Sequence, residues 1–313
     1  MTDNLKAILK RENLEFLLDF FLSQGVTDSI LQEFTDLDLR ELGVTKIGER
    51  MRLLSAFNLE ASKSPHIKTS FFSNQIPLRK SSLIHVKGGL LPESSSILVR
   101  KIHPFEISRH AVTLEKWKTV HNWAISNEFE IELGASVGFN YPVTLISWYD
   151  VLKWCNAQSL MEGLEPVYQV QGQSGFYMRE EFGAENSNKI SFNPKASGYR
   201  LPTEGEWEWA ARGGISAQDS IYSGSDQLEE VGWFSVNSQW RLHPVGEKKP
   251  NELGLYDMSG NVWDWCWDAS CSGRRIRGGC WKYDAEVCSV TFRRIYFPNY
   301  RSNRVGFRLA RSL

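Results

Sequence analysis

Cysteine is scarce and unpatterned. The five residues, Cys155, Cys266, Cys271, Cys280 and Cys288, include no Cys-x-x-Cys pair, which excludes zinc ribbons and thioredoxin-type chemistry. So sparse and odd a set is no disulfide framework and reads as free thiols in a reducing cytosol. Long apolar runs are missing too. No stretch of about 18 apolar residues occurs, so no membrane-spanning helix is expected. The opening residues, MTDNLKAILKREN, carry no apolar core with a small-residue cleavage site, and a cytoplasmic location is expected. Neither sign of charge is in surplus, with 36 Lys+Arg against 37 Asp+Glu. Nucleic-acid or membrane-surface binding by the whole chain is therefore not expected, although local patches can form. No GxSxG, P-loop or dinucleotide fingerprint occurs.

What is present is an ordinary globular composition: 313 residues, 42% hydrophobic and 23% charged. That is enough for a small domain plus a medium one. Tryptophan marks the division, because all 12 lie between Trp117 and Trp281. Residues 1–60 carry 7 basic and 11 acidic side chains, whereas residues 61–104 carry 7 basic and one acidic, Glu93. The Ser-rich stretch from Ser62 to Ser82 keeps no period and reads as a linker. The expected division is a helical bundle over 1–62, a linker over 63–83 and a larger domain over 84–313.

In the first part, Leu14, Leu17, Leu18, Phe21 and Leu22 recur at helical spacing. Thr27 caps a short helix, Thr35-Asp36 opens another that stops at Gly43, and Thr45 starts a last amphipathic helix through Met51, Leu54 and Phe57. The run LQEFTDLDLRELGVTKIGERMRLLSAF, Leu31 to Phe57, resembles the second half of a sterile alpha motif (SAM) domain. The resemblance implies self-association or docking to a protein partner, with an acidic middle surface meeting the start of the final helix. Here those faces would hold Asp36 and Asp38 on one side and Lys46 and Arg50 on the other. The competing reading is a monomeric bundle whose charges are solvated.

In the second part, FEISRHAVTLEKW reads as a strand and a Thr113-capped helix. PVTLISWYDVLKWCNAQ reads as an extended lead-in and a helix capped by Ser147. RLPTEGEWEWAARGG carries a Thr203/Glu206 capping box, with Trp207, Ala210 and Ala211 facing a core. Short strands and turns are expected in NELGLYDMSGNVWDW and RIRGGCW. Together with RSNRVGFRLAR, these motifs resemble the formylglycine-generating, or sulfatase-modifying-factor, family. The implied fold class is α+β: a small all-α bundle followed by a C-type lectin fold with little regular secondary structure.

The oxidising members of that family use two cysteines after RGG that bind copper and convert a substrate cysteine to formylglycine. An ungapped alignment places Tyr283 at the first and Cys288 at the second, and a phenol replaces neither a soft Cu(I) ligand nor a redox thiol. The six histidines offer no HxxxH-like pair for an iron site. No catalytic residue and no required cofactor are therefore expected. The alternative, an oxidoreductase acting on a protein cysteine, would need Cys280 and Cys288 to form an unorthodox pair. One metal reading follows from the resemblance: a structural Ca²⁺ on the Asp257 and Asp264 side chains and the Gly260 and Val262 carbonyls. The competing reading has both carboxylates accept backbone N–H groups.

The segment 277–308 also resembles the variable region of diversity-generating retroelement proteins, which share this scaffold. Gly278, Gly279, Trp281, Arg293, Pro298, Arg301, Gly306, Phe307 and Arg308 fit its fixed positions. Lys282, Tyr283, Asp284, Val287, Ser289, Thr291, Phe292, Arg294, Ile295, Tyr296, Phe297, Tyr300, Ser302 and Arg304 occupy the varying ones. Arg294 to Phe297, just before Pro298, is expected to be irregular and to present aromatics for contact with a protein ligand. With 10 basic and 2 acidic side chains over 272–313, an acidic partner is one expectation. An ordinary non-catalytic relative with those aromatics in its core is the other.

Overall fold

The computed structural model divides into two compact units, Met1–Leu78 and Arg79–Leu313. It describes residues 3–11, 18 and 53 of the first unit. Of the second it describes 83–313 except 96, 99, 173–174, 180–187 and 271–272. In the first unit, helix α1 runs over Asp3–Arg11 and buries Leu5, Ile8 and Leu9. That three-and-four spacing marks one helix face, and it adds a helix ahead of the leucines from which the bundle was read. Asp36, Asp38, Lys46 and Arg50 lie outside the described residues. Among the described residues, no helix is long and apolar enough to cross a membrane.

The second unit begins with strands β1 (Leu83–Val86), β2 (Gly89–Leu90), β3 (Lys101–Ile102) and β4 (Phe105–Ser108). Helix α2 (Leu114–Ser126) follows, capped by the Thr113 hydroxyl on the Lys116 amide. Helix α3 (Trp148–Met161) starts with a complete capping box between Ser147 and Asp150. Strands β5 (Tyr168–Val170), β6 (Ile190–Phe192) and β7 (Tyr199–Arg200) lead to α4 (Glu204–Ala211). There Thr203 and Glu206 satisfy each other's amides, as the sequence indicated. Strands β8 (Trp263–Ser270), β9 (Gly273–Arg277), β10 (Arg294–Tyr296), β11 (Val305–Gly306) and β12 (Ala310–Ser312) complete the order.

Two four-stranded sheets organise the unit, in the orders β1-β4-β12-β7 and β10-β9-β8-β11. The first joins distant parts of the chain, with Ile107 of β4 facing Ala310 of β12. In the second, β10 lies antiparallel to β9 with Ile295 opposite Arg275. This corrects the expectation that Arg294–Phe297 is irregular. The run has the β-branched and aromatic character of a strand, but its partner lies about twenty residues earlier, so local pattern could not reveal it.

The larger core packs Trp117, Trp148, Trp154, Trp263 and Trp265 with Phe307, all fully buried. Trp117 and Trp154 stack at 5.5 Å, and Phe307 meets both edge-on. A second cluster gathers Trp207, Phe105, Ile107, Leu255 and Met258 under α4. Between sheet and helix lies a buried ionic network. Arg277, 0% exposed, donates to Glu208 at 2.6 Å and to Glu204 at 3.3 Å. Glu208 also takes Arg212, and Glu204 also takes Arg293.

Such a pair is costly to break, because removing one partner strands a charge away from water. Arg277→Met should therefore destabilise the unit by about 3–5 kcal/mol. Every tryptophan lies in this unit, so tryptophan fluorescence in urea reads its unfolding in the full chain. A loss below about 1 kcal/mol would mean that Glu208 is adequately neutralised by Arg212 alone.

Candidate ligand-binding surface

The segment 277–308 is held by its backbone. The Arg277 guanidinium donates to the Val290 carbonyl at 2.7 Å. The Val290 amide donates to the Ile221 carbonyl, and the Ser235 amide to the Tyr283 carbonyl. Trp148, at the start of α3, donates its amide to the Pro298 carbonyl, and Leu145 donates to that of Ser302. The Trp263 amide reaches the Arg304 carbonyl, and the Trp281 indole reaches that of Asn303. Three glycines admit the close approaches. Gly279, at φ +75°, would place a Cβ 2.4 Å from the Cys288 sulfur. A Cβ on Gly278, at φ +97°, would lie 2.9 Å from the Met258 carbonyl oxygen, and one on Gly306 2.9 Å from that of Val143.

The side chains at the expected varying positions mostly meet one another. Tyr296 and Tyr300 stack at 4.2 Å. Arg304 donates to the Tyr283 hydroxyl at 3.1 Å and to the Tyr300 hydroxyl at 3.2 Å. Arg294 lies over the rings of Tyr283 and Tyr296 at 5.1 and 5.4 Å. Burial, followed by a hydrogen bond with Tyr283, pushes the Tyr296 phenol well above its ordinary value. Lys282, Asp284, Thr291, Ile295 and Phe297 are exposed, whereas Tyr283, Val287, Ser289, Phe292, Arg294, Tyr296, Tyr300 and Arg304 are half-buried. Tyr283 and Phe292 also lean on Trp263. Ser302 departs from the set: it is buried, and its hydroxyl accepts from the Arg304 amide.

Charge at this face is smaller than composition suggests. Arg277 and Arg308 are fully buried, Arg293 binds Glu204, Arg301 pairs with Asp150, and Arg274 covers the Trp148 ring. Lys282, Arg294 and Arg304 remain there, with Asp284 and Glu286 among them. Sequence reasoning missed the neighbouring loop. Ser235 hydrogen-bonds Asp284 and Ser238 bonds the Trp281 carbonyl, which sets exposed Val236 and Trp240 beside the segment. No pattern in the sequence distinguishes those two from core residues.

The proposed calcium turn is tightly coiled, with Asp257, Gly260 and Asn261 at positive φ. Asp264 accepts from the Arg308 guanidinium at 2.7 Å and the Trp207 indole at 2.9 Å. Asp257 accepts from the Gly246 amide, and burial raises its carboxyl to about 6. Thus Asp264 serves side-chain donors rather than backbone N–H groups. The Oδ1 atoms of both aspartates are buried without a hydrogen-bond partner. Buried carboxylate oxygens without a protein donor have the chemistry a hard cation takes.

A mixed domain with sparse secondary structure and a backbone-clamped terminal segment defines a C-type lectin fold of the formylglycine-generating type. Residues 77–313 match the "sulfatase-modifying factor enzyme 1-like domain" model, and residues 2–59 match that of the SAM domain. The chain belongs to the sulfatase-modifying factor family, with a SAM domain ahead of it. "Chaperone protein LppX" of Paenibacillus barcinonensis is 31% identical over 264 residues, 74% of this chain and 89% of that protein. The mouse "Inactive C-alpha-formylglycine-generating enzyme 2" is 35% identical over 136 residues, covering 37% of this chain and 44% of that one. The solved Treponema denticola variable protein 1 superposes with a TM-score of 0.60 at 30% identity, over 74% of this chain and 95% of that one.

Exposure separates two neighbouring aromatics. Phe297, 64% exposed, should tolerate Ser at a cost of under about 0.5 kcal/mol. Tyr296→Ser loses the stack on Tyr300 and should cost about 1 kcal/mol more. Thermal melts of the two variants check the order, and equal losses would place Phe297 in the core.

Proposed function

We propose that this protein is a non-enzymatic recognition protein of the variable type, whose segment 277–308 binds a protein ligand. One observation carries the reading: main-chain hydrogen bonds and the side chains of Arg277, Arg293, Arg301 and Arg308 fix the segment, while the side chains at its expected varying positions pack chiefly on one another. Those side chains can then change without loss of the backbone path. Tyr283, Tyr296, Tyr300, Arg294 and Arg304 supply rigid aromatic area with cationic donors, and exposed Phe297 and Ile295 extend it. The Treponema denticola protein, a variable protein by name, supports the same reading.

The chemistry of the thiols argues in the same direction. Tyr283 stands where the first catalytic cysteine of the oxidising relatives would stand. Burial raises the Cys280 thiol to about 11 and pushes Cys288 higher still, so neither supplies a thiolate at neutral pH. The mouse relative, inactive by its name, agrees with a binding role. Asp257, Gly260, Val262 and Asp264 would hold a structural Ca²⁺. The SAM domain, through Asp36, Asp38, Lys46 and Arg50, would self-associate or dock a partner, and repetition would turn a modest single-site affinity into avidity.

Two measurements test this. Full-length protein with copper and a Cys-x-Pro-x-Arg peptide should yield no aldehyde by mass spectrometry; conversion of the thiol would establish the oxidoreductase instead. Genomic sequence beside the coding region should hold a near-copy of the stretch encoding 277–308 that differs at adenines, next to a reverse transcriptase gene. Its absence would leave a binding protein that is not diversified.

A further inference from the structure

A pocket of about 140 Å³ opens between the end of β4 and the start of α2. Ser108, Arg109, His110, Ala111, Thr113 and Lys116 contribute to its wall, and no carboxylate does. Among the described residues Arg109 makes one hydrogen bond, to the Gly254 carbonyl at 3.1 Å, which there leaves most of its five donors without an acceptor. Lys116 has no ion pair among the described residues and rests over the Tyr199 ring at 5.6 Å. The buried Ala111 amide has no acceptor among the described residues. A buried donor without an acceptor in the protein is available to a molecule that enters the pocket.

Arg109 and Lys116 are the cationic side chains of the wall. His110 stacks on Tyr256 at 4.9 Å. Burial, then Arg308 and Arg109, hold its imidazole down to about 4. Burial also lowers the Lys116 ammonium, with Glu162 and Cys155 opposing it. No carboxylate lines the pocket itself; Glu162, whose charge acts on Lys116 from outside it, already accepts from the Tyr199 and Gln158 side chains. The site does not rest on the helix terminus, since the Leu114, Glu115 and Lys116 amides are already bonded to Tyr141, Phe139 and Thr113.

We infer that this pocket binds a small oxyanion, phosphate in the first instance, held by Arg109, Lys116 and the Ala111 amide. The volume suits one compact anion and is too small for a nucleotide or a peptide side chain with its backbone. A bound anion would bridge β4 and α2, and so tie the first sheet to the main core. The pocket shares no lining residue with segment 277–308, although Arg308 at the end of that segment donates to the Ser108 carbonyl in its wall.

The test is a phosphate titration of the full chain followed by thermal unfolding, with sodium chloride and sodium acetate at matched ionic strength. Phosphate should raise the melting temperature along a saturating curve, and chloride should not. Arg109→Gln and Lys116→Met should each weaken the phosphate midpoint about tenfold, the effect of losing one charge-assisted hydrogen bond. Equal acetate and phosphate curves would redirect the site to carboxylates and overturn the assignment. A rise that is unsaturated, matched by chloride or unchanged in the variants would overturn it as well. Arg109 is exposed, so its variant decides the matter if Lys116→Met fails to fold.

Discussion

Arg277 is the constraint on which the rest depends. Its guanidinium faces Glu208 and Glu204 on one helix and the Val290 carbonyl of the segment that follows. A lysine would not replace it, because a single ammonium lacks the planar fork whose two ends here reach Glu204, Glu208 and the Val290 carbonyl. The strand carrying Arg277, helix α4 and the following loop therefore come as a set. Glu204 extends the set to Arg293, which lies next to β10. A loop with few strands of its own thereby acquires a fixed path from charges buried beneath it.

The face above that network is unusual in being organised from within. Arg304 spans two phenols, and Tyr296 lies against Tyr300. Rings and guanidinium groups that already hold one another lose little freedom when a partner arrives, which limits the cost of association. The same property separates the two roles of the segment. Its carbonyls and its paired arginines serve the fold, and the side chains between them are left to serve contact.

The parts legible in the sequence were those governed by neighbours within four residues. Thr113, Ser147 and the Thr203/Glu206 box could be read because a cap needs only its own first turn. The four motifs gave the family because glycines such as Gly278 and Gly279 are required by contacts that any member must make. Strand β10 was not legible, because its edge is supplied by β9 across a loop. Nor was the burial of Ser302, which follows from the Leu145 amide on its carbonyl and the Arg304 amide on its hydroxyl. Trp240 reads as a core residue by type, yet it is 63% exposed. Type gives a tendency to bury, and the three-dimensional path decides it.

The pairing of β4 with β12 has a consequence for synthesis. Leu309 donates to the Ser108 hydroxyl across 201 residues of chain. A ribosome must therefore make the whole intervening sequence before β4 gains that neighbour. Until then β4 and β7 present bare edges, the surfaces from which strands aggregate. A stop codon or frameshift anywhere in 277–308 would remove β12 and leave those edges bare for good. The first sheet thus closes between β4 and β7 only in chains translated in frame through the segment just before it.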